Sequence, residues 1–274
     1  MYFFFTAMRR LNSIPGSGFT FLLILLCACK REDHIVDKNA QPDSSWLSIT
    51  NASPSIPNLL FYENNTFISF PDSPFSFGST TSGSYVINSG NPVMSTVEQT
   101  PYIKIPAGFV QLGFRSTSPA ANFSENNYFE NGSSYSVFIT DSIIHGQARY
   151  VLLTDQTITV DTTQGQIRFL NLSPDAPALD VYAFYDVGPN GTKIFSNCGY
   201  LPNDYNSLLT AQTFVPIPAG PYYMVATIAG TDSAVLDGGL IVPSKGIITM
   251  YTKGFFNGSG STLMDIGIIS YQQQ

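Results

Sequence analysis

An all-β fold, built as two tandem copies of one antiparallel module, is what this chain predicts, and three observations carry the expectation. The first is a repeat. Asn51, Ser53, Pro54, Pro57, Leu59 and Tyr62 recur 120 positions later as Asn171, Ser173, Pro174, Pro177, Leu179 and Tyr182, and Ile105-Pro-Ala-Gly108 returns 112 positions later as Ile217-Pro-Ala-Gly220. A fixed period of this kind marks one structural unit used twice. The second is alternation: Leu47 and Ile49, then Val110, Leu112 and Phe114, then Tyr135, Val137 and Ile139 stand at every second position, the period of half-buried strands. The third is composition. The 274 residues are 43% hydrophobic and only 11% charged, with Asn, Ser, Thr and Gly supplying the polarity, a balance that disfavours helix. The two modules are placed at residues 46–161 and 162–274.

Residues 1–28 have the make-up of a targeting segment, with Arg9 and Arg10 ahead of an apolar run at 19–28. A run of ten is too short for a membrane-spanning helix, which takes roughly 20 apolar residues. Leu26-Cys-Ala-Cys29 resembles the bacterial lipobox, in which the cysteine is acylated and everything before it is removed, so Cys29 is the expected lipidation site. Two alternatives are weaker: a Cys27/Cys29 metal or redox pair, which lacks a nearby His or further Cys, and an ordinary secretory leader. Residues 29–45 then read as the lipidated cysteine and a polar, flexible tether with a reach of roughly 20–25 Å. Cys198 remains, expected as a buried inert thiol, with an interchain disulfide as the alternative.

Loss of the leader would take the formal net charge from −7 to −9. Beyond Trp46 the basic residues are scattered, and no stripe exists to neutralise phosphates, which sets nucleic acid aside as a partner.

Along the modules, Ile167 and Phe169 repeat the register of Leu47 and Ile49, while Tyr223, Val225 and Thr227 form a further alternating set. Asn131-Gly132, Asn190-Gly191 and Asn257-Gly258 are hairpin-turn dipeptides. Ile-Pro-Ala-Gly reads as a strand end followed by a reversal, because Pro lacks a donor and Gly permits the turn. The two motifs stand eight residues farther apart in copy one, and the excess falls in residues 63–100, a Ser-, Gly- and Asn-rich stretch carrying Phe67, Phe70, Phe75, Phe77 and Tyr85. Those rings could stack on sugars, with Phe67 and Phe70 as candidates. Core packing is the plainer reading, with Phe75 and Phe77 on a strand that matches the one leading to Phe195.

Ile167-Arg-Phe-Leu-Asn-Leu-Ser-Pro-Asp-Ala-Pro-Ala-Leu-Asp-Val-Tyr182, followed by Ile217-Pro-Ala-Gly220, is similar to the bacterial family known as domain of unknown function 4397. Copy one departs from the pattern, with Ser55 and Leu60 where copy two has Asp175 and Asp180. The resemblance implies tandem immunoglobulin-like antiparallel β-sandwiches on an extracytoplasmic lipoprotein, and no established activity. The Lys30-Arg-Glu-Asp33 run after Cys29 resembles surface-export signals of lipoproteins in the Bacteroidetes and reads equally as a solvated linker.

Asp175 and Asp180 are the only carboxylates set in a motif, and a glycosidase pair or a metal site is the chemistry to weigh. Copy one keeps the motif without either acid, so a turn is the simpler reading. His34 and His145 stand apart, and no nucleophile elbow, phosphate loop or dinucleotide fingerprint occurs. No catalytic residue, cofactor or metal is expected. The expected function is a non-enzymatic cell-envelope lipoprotein of the outer membrane, with surface exposure left open. It would act as a structural or protein-interaction scaffold, and its partners would be the membrane, through the lipid, and an envelope protein or glycan. A glycan-binding or adhesin module using the aromatic insert of copy one is the alternative.

Overall fold

The computed structural model describes residues 43–56, 58–68, 85–86, 102–116, 122–142, 147–185, 191–203, 208 and 211–272. Copy one supplies β1 (Ser44–Asn51), β2 (Leu60–Glu63), β3 (Thr66–Ile68), β4 (Tyr85–Val86), β5 (Ile103–Pro106), β6 (Gly108–Arg115), β7 (Phe123–Phe129), β8 (Ser134–Ser142) and β9 (Gln147–Thr154). Copy two supplies β10 (Gln164–Leu170), β11 (Leu179–Tyr185), β12 (Thr192–Cys198), β13 (Val215–Pro218), β14 (Gly220–Ile228), β15 (Ala234–Val242), β16 (Gly246–Lys253) and β17 (Asp265–Gln272). No helix among the described residues is long and apolar enough to cross a membrane.

Each copy is an immunoglobulin-like β-sandwich. In copy one the sheets are β5-β1-β8-β9 and β3-β2-β6-β7; in copy two β13-β10-β16-β17 and β12-β11-β14-β15 repeat the same order. One departure from the antiparallel expectation recurs in both: β1 runs antiparallel to β5 but parallel to β8, and β10 likewise pairs antiparallel with β13 and parallel with β16. The alternating side chains meet between the sheets. Leu47, Ile49, Phe61, Val110, Leu112, Phe114, Val137 and Ile139 fill the first sandwich, and Ile167, Phe169, Val181, Met224, Ile248 and Ile266 the second. In β14 the core-facing set is Tyr222, Met224 and Ala226, so the alternating Tyr223, Val225 and Thr227 lie on the opposite face of that strand, where Thr227 is buried as well.

The repeated motifs do the local work expected of them. β5 ends at Pro106 and β6 opens at Gly108 with φ +96°; β13 ends at Pro218 and β14 opens at Gly220 with φ +144°. A Cβ at Gly220 would also come within 2.8 Å of the Tyr185 ring. The Asn and Ser side chains of the Asn-Xaa-Ser-Pro turns are buried and hydrogen-bonded. Asn51 Oδ1 accepts from the Ser53 amide and its Nδ2 donates to the Ile56 carbonyl, while Asn171 does the same for Ser173 and Pro177.

A third core lies between the copies. Sheets β5-β1-β8-β9 and β13-β10-β16-β17 turn their outer faces to each other, burying Phe138, Val151 and Leu153 against Leu170, Ile247, Tyr251 and Ile269, with the Phe138 and Tyr251 rings 5.6 Å apart. Strands covered on both faces carry apolar side chains at consecutive positions, as β8 does at Val137-Phe138-Ile139 and β16 at Ile247-Ile248 and Met250-Tyr251. The described residues from 43 to 272 are therefore arranged as four layered sheets. β4, from the insert of copy one, crosses to copy two and extends its sheet beside β17, placing Tyr85 opposite Ile268 and Val86 opposite Gly267. The counterpart of β12 in copy one is β3, and the strand expected around Phe75 and Phe77 lies outside the described residues, as do Cys29, residues 30–42 of the tether and His145; Ser44 and Ser45, expected in the tether, already belong to β1.

Candidate functional site

The two motif acids do not share a site. Asp175 lies on the turn after Pro174, where it accepts from the amides of Phe256 (2.6 Å) and Asn257 (2.8 Å) and from Asn257 Nδ2 (3.2 Å). It ties down the loop between β16 and β17. Copy one solves the same problem from the other side: Asp141, at the end of β8, accepts from Ser53 Oγ (2.6 Å) and the Ser55 amide (3.4 Å). Burial pushes the Asp141 carboxyl up, and the Ser53 hydroxyl opposes that. Asp180 is buried on the outer side of β11, with Lys193 Nζ at 2.6 Å, the Asn197 amide at 2.7 Å and the Gly230 amide at 3.1 Å. The Lys193 ammonium, then the Asn197 amide, hold its carboxyl down to about 2. A carboxylate so held is a poor general acid at neutral pH. Asp175 thus sits on the Ser-Pro turn, while Asp180 lies within strand β11 rather than in that turn.

Cys198, at the end of β12, is half-buried rather than fully enclosed. Its Sγ lies 3.9 Å from the Ser196 carbonyl.

Between the copies sits a polar group that the sequence did not announce. Arg168 is 1% exposed, projecting from β10 into the third core, and its Nη1 meets Asp155 Oδ1 at 2.5 Å. Its Nε donates to Thr249 Oγ1 and its Nη2 to Ser136 Oγ, while the guanidinium lies over the Phe214 ring at 4.5 Å. Asp155 Oδ2 accepts from Ser136 Oγ (2.7 Å) and from Tyr102 (2.6 Å), which also meets the Tyr271 hydroxyl at 2.7 Å. Burial, reinforced by the Asp155 carboxylate, raises the Tyr102 phenol well above the ordinary tyrosine value. Every member has partners, which is the condition for a buried ion pair to be tolerated.

The outer face of sheet β3-β2-β6-β7 is where exposed rings gather. Phe67 is 46% exposed on β3 and packs at 5.6 Å from Tyr62 on β2, and the Arg115 guanidinium covers the same tyrosine at 4.2 Å. At the other end of β6, Phe109 is 83% exposed and meets Tyr128 of β7 edge to face at 5.2 Å. Of the two aromatic candidates in the insert, Phe67 belongs to this face and Phe70 lies outside the described residues. Phe109 and Tyr128 were missed; each sits at the alternate position of a strand whose other face fills the core, which is the signal that could have found them. A groove of about 600 Å³ opens along the seam between β7 and β9, lined by Glu125, Arg149, Tyr150 and, from copy two, Leu201 and Leu208.

The family described as Domain of unknown function (DUF4397) matches residues 45–182, half of the chain. The chain belongs to the DUF4397 family. The match begins in β1 and ends within β11, so it takes in the Asn-Xaa-Ser-Pro turns of both copies. No curated protein sequence matches this DUF4397 protein. Among solved structures, the Bacillus anthracis TIE protein aligns over 77% of this chain and 34% of its own at 13% identity and a TM-score of 0.22, so the chain spans about a third of that protein. A streptococcal virulence factor described as binding alpha-glucan aligns over 76% of this chain and 92% of its own at 7% identity and a TM-score of 0.23. Family 41 carbohydrate-binding modules from streptococcal virulence factors, described as recognising alpha-glucan, give 76%, 92%, 12% and 0.22 in the same order. Likeness at this level carries nothing about what the DUF4397 protein binds.

Proposed function

We propose that this protein is a non-enzymatic scaffold of the cell envelope, acylated at Cys29, held to the outer membrane by the 29–45 tether, and presenting two sheet faces to its partners. The observation that supports the reading is the broadside packing of the two sandwiches. Because β5-β1-β8-β9 and β13-β10-β16-β17 are spent on each other, β3-β2-β6-β7 and β12-β11-β14-β15 become the outer layers of the stack and look in opposite directions. Both carry an exposed ring or rings, Phe109 and Tyr128 on one side and Tyr223 on the other. A stack of four sheets with a buried ion pair at its centre holds those faces in fixed relation, as a scaffold requires.

The test is photo-crosslinking on living cells with benzoylphenylalanine in place of Tyr128 or Tyr223. Discrete adducts from each face are expected, and silence from both would refute the scaffold. Anchoring is read separately: labelled palmitate enters the wild-type chain and not Cys29→Ala, and label retained in the variant would refute acylation at that residue.

A further inference from the structure

We infer that the outer face of copy one binds a carboxylate-bearing polysaccharide, with Arg115 as its anion-binding group and the Tyr62–Phe67 and Phe109–Tyr128 ring pairs as its stacking platforms. This goes beyond the scaffold by naming the chemistry of one ligand. Alternation along the strands turns Phe67, Tyr62, Phe109, Gln111, Arg115, Asn126 and Tyr128 outward, opposite the buried Phe61, Leu112 and Phe114. Tyr62 pairs with Gly113 and Phe109 with Tyr128, so the ring pairs stand four residues apart along β6, about 13 Å at strand rise. Between them the floor is polar and low. Gln111 and Asn126 face each other in register, and Gly113 has no side chain to obstruct the surface.

That order of chemistry separates a glycan from a protein. A protein interface is apolar at its centre and polar at its rim. Here rings stand at both ends and amides lie in the middle, which suits a chain of pyranoses whose C–H faces lie on rings and whose hydroxyls need donors and acceptors along the way.

The second copy identifies the charge. Tyr62 and Tyr182 occupy equivalent positions, and each has a cation over its ring: Arg115 Cζ at 4.2 Å in copy one, Lys193 Nζ at 5.2 Å in copy two. In copy two that cation is neutralised, because Asp180 accepts from Lys193 at 2.6 Å. Copy one has Leu60 at the Asp180 position, directly opposite Arg115, and no carboxylate among the described residues pairs with Arg115. The outward positions of this sheet, as far as they are described, carry one cation and no acid, in a chain with 19 acidic and 12 basic residues. A stacked guanidinium keeps its N–H donors in its own plane, set for two-point binding of a carboxylate. A ligand carboxylate on copy one would take the role Asp180 plays in copy two.

The experiment is affinity electrophoresis of the full chain in mild detergent through gels containing polygalacturonate, alginate or hyaluronan, with methyl-esterified polygalacturonate as the neutral control. Retardation by at least one acid polymer is expected. It should weaken by about tenfold or more on esterification or in Arg115→Gln, as loss of a charge-assisted contact requires. Phe109→Ala with Tyr128→Ala should abolish it while leaving the melting temperature unchanged, since both rings are exposed. No retardation by any of the three polymers, or retardation indifferent to these side chains, overturns the site. Equal retardation by the ester overturns the acid assignment. Crosslinked protein partners would still leave the scaffold standing, so the two readings fail separately.

Discussion

Replacing Asp155 with alanine should be among the most damaging single changes this chain can suffer. The carboxylate is the counter-charge of a guanidinium that is 1% exposed and 2.5 Å away. Without it Arg168 keeps Thr249, Ser136 and the Phe214 ring, but nothing carries the opposite charge. Leaving one member of a buried ion pair uncompensated costs about 3–5 kcal/mol. The hydroxyls that lose an acceptor add little, because Ser136 still meets Arg168 and Tyr102 still meets Tyr271. Against the roughly 5–15 kcal/mol that separates folded from unfolded in an ordinary domain, this is a large fraction. The assay is urea unfolding of residues 43–274, followed by far-ultraviolet dichroism and by the emission of Trp46, the chain's single tryptophan. A fall in midpoint at unchanged slope reports the lost stability. The paired variant Asp155→Leu with Arg168→Met removes both charges and should recover most of the loss. A cost for Asp155→Ala below about 1 kcal/mol, or a double variant no more stable than the single, would refute the argument that this pair seals the two copies together.

Acid should act through Asp180. Its folded carboxyl sits at about 2, below the unfolded value of about 3.9, so its stabilisation is complete above about pH 5 and disappears as pH falls towards 2. Asp180→Asn should melt lower than wild type at pH 7 and converge with it near pH 2; a gap that does not close contradicts the assignment. Asp175→Ala should cost about 1–2 kcal/mol and speed amide exchange at Phe256 and Asn257, with no change at module one. Asn171→Ala removes a side chain that serves Ser173, Pro177, Cys198 and Thr252, and should cost about 2–3 kcal/mol in the same urea assay.

The internal architecture of each module was legible because it depends on one-sided alternation and on turn chemistry. Leu47 and Ile49 named the core face of β1, and Ile-Pro-Ala-Gly named the break between β5 and β6. The stacking of the modules was not, although its trace is present. Alternating Tyr135, Val137 and Ile139 mark one core face of β8, while Phe138 between them marks a strand buried on its second face too. Arg168 looked like one more scattered base, since nothing local distinguishes a solvated arginine from one whose carboxylate lies across a module boundary. Tyr223 and Val225 misled because β14 carries apolar side chains on both faces, so either register satisfies the pattern. At the candidate site Phe67 stood out by lying in the insert. Phe109 and Tyr128 were hidden among strand residues whose outward direction needs the register of the whole sheet.

The contact between the modules joins the same sheet of each copy, β5-β1-β8-β9 to β13-β10-β16-β17, and the rings that touch at its middle, Phe138 and Tyr251, occupy equivalent places, each on the strand parallel to the first of its module. Contact between equivalent residues is the signature of a two-fold axis. An isologous interface of this kind is what a single module would make with its own twin, so the arrangement is that of a homodimer written into one gene. Joining the partners through the short run from Asp155 to Thr163 turns a concentration-dependent encounter into an intramolecular one. It also frees each half to change alone: Ser48 stands where the other half has Arg168, and Leu60 where it has Asp180. Fusion thus allowed a symmetric contact to acquire an asymmetric ion pair, and two identical outward faces to become different ones.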